Sequence, residues 1–202
     1  MTVRVFYHVR TAAGQAWEAG VRDQLAKIHW SGLYDAAEAV HVGVCGPDAE
    51  ACLAVLREYG AKVAAAAVEG SGSETFALMM RRLVRPEDRL VYLHNGSGGT
   101  DNDDLRQRQY VEHTMVKKWR RCVDLLAIAD VVGTGYTAQH GFSGNFWWCT
   151  GAHYLRLPPQ DPAAPGVHVL RGVTCNSVAF PAAADRPLAE YCDLKEPVRR
   201  VP

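Results

Sequence analysis

Several things are missing from this chain, and each absence narrows what it can be. It has no excess of either charge: 22 Lys plus Arg stand against 22 Asp plus Glu. That balance gives no basis for a nucleic-acid partner or an anionic membrane surface. It has no long apolar run. Stretches such as Val63 to Val68 are far shorter than the roughly 20 residues a membrane-spanning helix needs. It has no CxxC pair, and its six cysteines (45, 52, 122, 149, 175 and 192) are widely spaced. A disulfide framework or a structural zinc site is therefore not expected, and the cysteines read as reduced thiols in a cytoplasmic protein. The N-terminus, MTVRVFYHVRTAAG, carries charges inside its apolar run and reads as a first strand rather than a secretory signal. The Gly-rich stretch Asn95-Gly-Ser-Gly-Gly99 lacks the Lys and the spacing of a P-loop.

What remains is an ordinary globular composition, 48% hydrophobic and 22% charged over 202 residues, enough to bury a sizeable core as one domain. The first half alternates strand and helix signals. Val3 to Val9 is β-branched and aromatic, a strand by propensity. Thr11 to Ile28 places Trp17, Val21, Leu25 and Ile28 on one helical face. Ala39 to Val44 is a second strand, and Asp48 is placed to N-cap a helix that ends near Gly60. Lys62 to Val68 is a third strand, Ser73 caps a helix from Glu74 to Val84, and Arg89 to His94 is a fourth strand. This order predicts an α/β fold: a mostly parallel central sheet flanked by helices, with a Rossmann-like N-terminal half whose ligand would sit at the carboxyl ends of the strands.

The second half reads differently. Asp104 to about Ile128 has the spacing of one long helix, with Val111, Met115, Trp119, Val123 and Leu126 on its buried face. Val131 to Gly135 is a short strand, Asn145 to Cys149 another, Ala152 to Leu157 a short helix and Val167 to Leu170 a last strand. The expected organisation is one domain over 1–202. It comprises a nucleotide-binding α/β half (1–100), a long helix with an acceptor-side motif (101–160) and a C-terminal extension (161–202).

Four clusters carry candidate chemistry. In His140-Gly-Phe-Ser-Gly-Asn-Phe-Trp-Trp148, adjacent tryptophans on a strand point to opposite faces, so one can enter the core while the other faces a cleft. An aromatic face beside Ser143, Asn145 and His140 suits a sugar, and Gly144 lets a ligand approach the backbone. The same segment also reads as a buried aromatic strand with a tight turn. Asp101 and Asp103 form a D-x-D whose carboxylates suit Mg²⁺ or Mn²⁺ bridging the phosphates of a nucleotide-sugar donor. They read equally as a solvated turn that caps the following helix. Arg120, next to Trp119, offers a bidentate partner for phosphate or simply a solvated helix residue. His8 and Arg10 end the first strand, where a nucleotide base and phosphate would sit, or they form a plain strand-end turn.

These residues, taken in order, resemble a bacterial glycosyltransferase-like family. That family shows an E-x-G…G-E-x-x-T-L stretch, a strand ending Y-x-H-T-K-G, a W-R on a helix, a short V-G and then H-x-S-G-N-F-W-W. Here the matching residues are Glu69 to Phe76, Tyr92-Leu-His94-Asn-Gly96, Trp119-Arg120, Val132-Gly133 and His140 to Trp148. A later Asp185-Arg186…Ala189-Glu190-Tyr191 is similar to the family's C-terminal R…A-E-x-W element. The order agrees over residues 2 to 157, about three quarters of the chain. The resemblance implies a GT-A-like fold, a nucleotide-diphosphate sugar donor and a hydroxyl-bearing small-molecule or glycan acceptor. It implies that His94, Trp119, Arg120, His140, Ser143, Gly144, Asn145, Trp147 and Trp148 line the cleft, with Glu190 nearby. His94, His140 and Glu190 are the catalytic candidates, Asn95 joins the substrate-binding set, and Glu74 and Thr75 join His8 and Arg10 on the donor side. One departure stands out: where the family has H-T-K-G, this chain has His94-Asn95-Gly96, so the Lys is gone and the loop is rebuilt around Asp101 and Asp103. The acceptor region is either minimal or completed by another subunit of a homo-oligomer. Two alternatives stay open: the same fold recruited to a non-glycosyl reaction in a biosynthetic pathway, and a non-catalytic carbohydrate-binding module.

Overall fold

The structure is a computed structural model. It describes residues 2–11, 17–68, 73–95, 102–137, 141–159, 169–170, 175–180 and 199–201. Among the described residues eight strands form one sheet: β1 (Val3–Arg10), β2 (Ala37–Cys45), β3 (Val63–Ala67), β4 (Arg89–His94), β5 (Val131–Thr134), β6 (Trp147–Thr150), β7 (Ser177–Phe180) and β8 (Arg199–Val201). Their order is β3-β2-β1-β4-β6-β5-β7-β8. The pairings β3–β2, β2–β1, β1–β4 and β5–β7 are parallel, while β6 runs antiparallel to both β4 and β5, and β8 antiparallel to β7. The expected α/β architecture with a mostly parallel sheet flanked by helices is what the chain forms.

The helices are α1 (Trp17–Trp30), α2 (Leu33–Ala36), α3 (Ala49–Arg57), α4 (Ser73–Leu83), α5 (Asn102–Glu112), α6 (Trp119–Leu125) and α7 (Gly151–Arg156). They divide the core into two layers. On one face of the sheet, Val21, Leu25 and Ile28 of α1, Leu56 of α3, and Tyr110, Met115 and Cys122 further along pack on Val5, Tyr7, Val9, Val91 and Trp148. On the other face Phe76 and Met80 of α4 and Tyr154 of α7 pack on Phe6, Leu90, Tyr92 and Trp147. The strands between them read as near-continuous apolar runs because both faces are covered. Among the described residues no helix is long and apolar enough to cross a membrane.

Four expectations need correction. The long helix is interrupted: α5 ends at Glu112, a π-helical turn spans His113–Lys117, and α6 begins at Trp119. One tertiary bond meets this stretch, and its own backbone closes a π turn. The Met115 carbonyl accepts from Trp148 Nε1 at 2.9 Å, and Lys118 N donates five residues back to His113 O. Asp48 stands at the N-cap of α3 without capping it, because its carboxylate accepts from Trp17 Nε1 at 3.2 Å instead. The described part of the expected last strand, Val169–Leu170, is a bend, held where the Val169 carbonyl accepts from His153 Nε2. The strand that pairs with β5 in parallel is Ser177–Phe180, which the sequence reading did not single out. The helical signal from Thr11 begins, among the described residues, at Trp17.

Candidate functional site

The parallel strands β1, β2 and β4 all end on the same edge, at Arg10, Cys45 and His94. Residues after the carboxyl ends of such strands are where ligands sit on this architecture. Asn95 ties two of these ends together. Its side-chain oxygen accepts from Arg10 N at 2.7 Å, its amide donates to Arg10 O at 3.0 Å, and its backbone N–H donates to His8 O. An Asn that pairs with both backbone groups of one residue acts as an extra rung of the sheet, fastening the end of β4 to the end of β1.

Because β6 is antiparallel to β4, the residues just before it arrive at this same edge. Trp147 pairs with Tyr92, so Ser143 to Phe146 lie beside His94. His94 Nε2 lies 2.6 Å from Gly144 O. A carbonyl only accepts, so Nε2 must carry the hydrogen, and in the neutral ring Nδ1 is then the acceptor nitrogen. The turn itself is sharply folded. Gly144 has φ 66°, and Asn145, at φ 50°, adopts the left-handed conformation that Asn tolerates best after Gly. Ser143 Oγ donates to Gly135 O at 3.0 Å, which anchors the turn to the end of β5. Phe146 meets the His94 ring edge to face at 5.0 Å.

His8 lies beneath the edge rather than on it. It is 6% exposed, stacks on Phe76 at 5.1 Å, and sits 3.3 Å from Tyr92 Oη and 3.7 Å from Cys45 Sγ. Burial, and then the nearby His94 and Arg10 charges, lower its pKa to about 4, so it is neutral near pH 7. Arg10 is exposed at the rim.

The edge thus gathers Arg10, His94, Asn95, Ser143, Gly144 and Asn145. Two other expectations fail on geometry. Trp147 and Trp148 do point to opposite faces, but both faces are covered: each is 0% exposed, one in each core layer, and neither lines a cleft. Trp119 and Arg120 lie at the opposite end of the sheet. Trp119 Nε1 donates to Ser31 O, and Ser31 follows α1, which has run back from the carboxyl edge toward the start of β2. Arg120 stacks over the Trp119 ring at 4.4 Å. This pair closes the α1–α6 junction, and the Arg120 side chain does not reach the edge where donor phosphates were expected.

His140, Glu190 and Asp101 lie outside the described residues. Asp103 is the second residue of α5, while Glu74 and Thr75 fall in the first turn of α4; the side chains of these three lie outside the description as well. Among the described residues there is no group of three His, Cys, Asp or Glu that could hold a metal ion. A cleft of about 330 Å³ opens between α4 and α7, lined by Ala77, Leu78, Arg81, Tyr154 and Leu157, away from the strand ends. Sequence reasoning missed Gln24 and Glu112, both buried behind His94; their signal, polar residues on otherwise apolar helical faces, was visible at Gln24 between Val21 and Leu25.

No protein-family model matches the chain, and no curated protein matches it in sequence. Solved structures do resemble it in shape. One is a cytidylyltransferase from Leptospira borgpetersenii, at 10% identity and a TM-score of 0.49, covering 76% of this chain and 62% of that one. Another is a 4-diphosphocytidyl-2C-methyl-D-erythritol synthase from Anaerococcus prevotii, at 8% identity and a TM-score of 0.47, covering 80% and 81%. A third is Rv0371c from Mycobacterium tuberculosis in complex with manganese, at 14% identity and a TM-score of 0.47, covering 95% and 97%. The chain spans less than two thirds of the first of these.

Proposed function

We propose that this chain is a transferase that binds a nucleotide-diphosphate sugar at the carboxyl edge of its sheet and passes the sugar to a hydroxyl-bearing acceptor. The observation that carries the proposal is the convergence of Arg10, His94 and Asn95 with the Ser143–Asn145 turn on that edge. Arg10 supplies a cation for phosphate, and the Gly144–Asn145 backbone leaves room for a ligand to approach closely. His94, whose ring is held against Gly144 O through Nε2, is the acid–base candidate at this edge. His140 and Glu190 are the other acid–base candidates. A divalent cation, Mg²⁺ or Mn²⁺, enters the proposal through Asp101 and Asp103, where it would neutralise the departing diphosphate.

One observation favours a second reading. With Trp147 and Trp148 both buried, the stacking face for an acceptor sugar is gone. The nucleotide edge does not depend on that face, so the group transferred can be something other than a sugar. The carbohydrate-binding module loses its basis by the same fact.

The test is a thermal-shift panel of nucleoside diphosphates and their sugars, with and without Mn²⁺. A ligand at about 100 times its Kd adds about 2.7 kcal/mol. In a chain of this size that raises Tm by roughly 5–10 °C. A sugar nucleotide hydrolysed or transferred in the presence of acceptor supports the first reading, and a nucleotide bound without turnover of its sugar supports the second. No shift with any member of the panel defeats both.

A further inference from the structure

Behind His94 lies a polar network inside the apolar layer between the sheet and α1. Gln24 of α1 is 3% exposed, and three of its four hydrogen-bonding positions are used. Its Nε2 donates to His94 O at 3.1 Å and to Glu112 Oε1 at 2.8 Å, and its Oε1 accepts from Tyr7 Oη. Burial raises the Tyr7 pKa well above its ordinary value, so the phenol keeps its proton and donates. The amide orientation follows: flipped, its oxygen would face a carbonyl and a carboxylate. Glu112 of α5 is 2% exposed and is itself held by Lys27 Nζ at 2.6 Å and Arg108 Nε at 2.8 Å. Four elements, β1, α1, β4 and α5, therefore meet on one amide.

An apolar set of the same volume would serve stability as well, because buried charges are costly to desolvate. What an apolar set would not do is fix the position of a particular carbonyl. This network ends on the carbonyl of His94, the last residue of β4. From there the His94 ring continues to Gly144, and the next residue, Asn95, binds both backbone groups of Arg10. We propose that Gln24, oriented by Glu112, is a positioning residue. It sets the place of His94 and Asn95 at the edge and ties that place to α5. The role rests on the edge being the binding site proposed above, but the coupling itself is testable without any ligand.

The test compares wild type with Gln24→Met, which matches the side-chain size and removes both donors, and with Gln24→Asn. The latter stays polar but is too short to reach His94 O and Glu112 together. Arg4→Met, which breaks the Arg4–Asp88 pair at the opposite end of the sheet, is the control for a merely structural loss. Two readouts are local: hydrogen exchange at the Asn95 amide, and the His94 Nε2–H resonance in protein labelled at its histidine nitrogens. Both Gln24 variants should speed exchange at Asn95 roughly tenfold and lose the His94 resonance to exchange with water, while Arg4→Met changes neither. Asn95 exchange within about twofold of wild type and a retained His94 signal in both Gln24 variants would overturn the proposal. Titration of the same proteins with UDP, CDP, GDP and ADP plus Mn²⁺ keeps the two readings apart. Weaker binding by the Gln24 variants links the network to the ligand. Silence from wild type removes the donor reading, and the hydrogen-exchange comparison still decides whether Gln24 positions the edge.

Discussion

Replacing Gly133 by Ala should disturb the candidate site from the far side of the sheet. Gly133 lies in the middle of β5, paired with Trp147 on one side and Ala179 on the other. The Phe142 ring lies flat on it: a Cβ built there would be 2.3 Å from Cγ and Cδ1 of Phe142 and 2.6 Å from Cδ2. Ordinary contacts run from 3.4 to 4 Å, so the ring must retreat by more than about 1 Å. It has little room to do so, being 5% exposed and packed edge to face against Tyr136 at 5.8 Å. Overpacking of this kind costs about 1–3 kcal/mol. At roughly 2–4 °C per kcal/mol for a chain of this length, Tm should fall by about 2–12 °C. Phe142 also opens the turn that carries Gly144, and its carbonyl accepts from Asn145 N, so nucleotide affinity should fall with it. The decisive assay is a double-mutant cycle by urea or thermal unfolding with Phe142→Leu. Trimming the ring should relieve the clash, leaving the double variant less destabilised than the sum of the singles by about 0.5–3 kcal/mol. Additive losses, or Gly133→Ala costing less than about 0.5 kcal/mol, would refute the reasoning.

Acid should weaken the fold in a defined window. His8 and His113 are held neutral, each lowered to about 4, by burial first and by neighbouring positive charge second. Because the unfolded chain takes up protons at these positions from about pH 6.5 downward and the native state does not, stability should drop between about pH 6.5 and 4. His113→Gln should flatten that slope in pH-dependent urea melts; an unchanged slope would count against it. Trp148→Phe leaves the Met115 carbonyl without its indole donor and should cost about 1–3 kcal/mol in denaturant melts. Acrylamide should quench Trp30, 84% exposed, while leaving Trp147 and Trp148 dark to it, as single-tryptophan variants would reveal. Asp88→Ala removes the buried partner of Arg4 and an acceptor for Arg85 N, and should cost about 3–5 kcal/mol by equilibrium unfolding.

The first half of the chain was legible because its strands are short apolar runs between amphipathic helices, and a parallel sheet leaves little freedom in how such units assemble. The carboxyl edge followed from that order. What local spacing could not reveal was whatever depends on a partner distant in sequence. Helical periodicity ran smoothly through Met115, yet the bond from Trp148 helps bend the helix there. The WW pair correctly gave two faces, but not that helices cover both. Trp119-Arg120 sat on the expected helix and still ended at the wrong end of the sheet, because the length of α5 carries it there. Gln24 was visible only as a polar residue on an apolar stripe, and its meaning came from Glu112, 88 residues away.

β6 is four residues long, yet it feeds an indole into each of the two core layers and pairs with both β4 and β5. A strand so placed works as a keystone between the two halves of the sheet. Its sequence, Trp147-Trp-Cys-Thr150, is constrained by the shape of the protein whatever the reaction. Chains sharing those residues would therefore be kin in architecture, and a difference in trade among them would be written elsewhere, in the residues that follow His94 and in those just before Phe146.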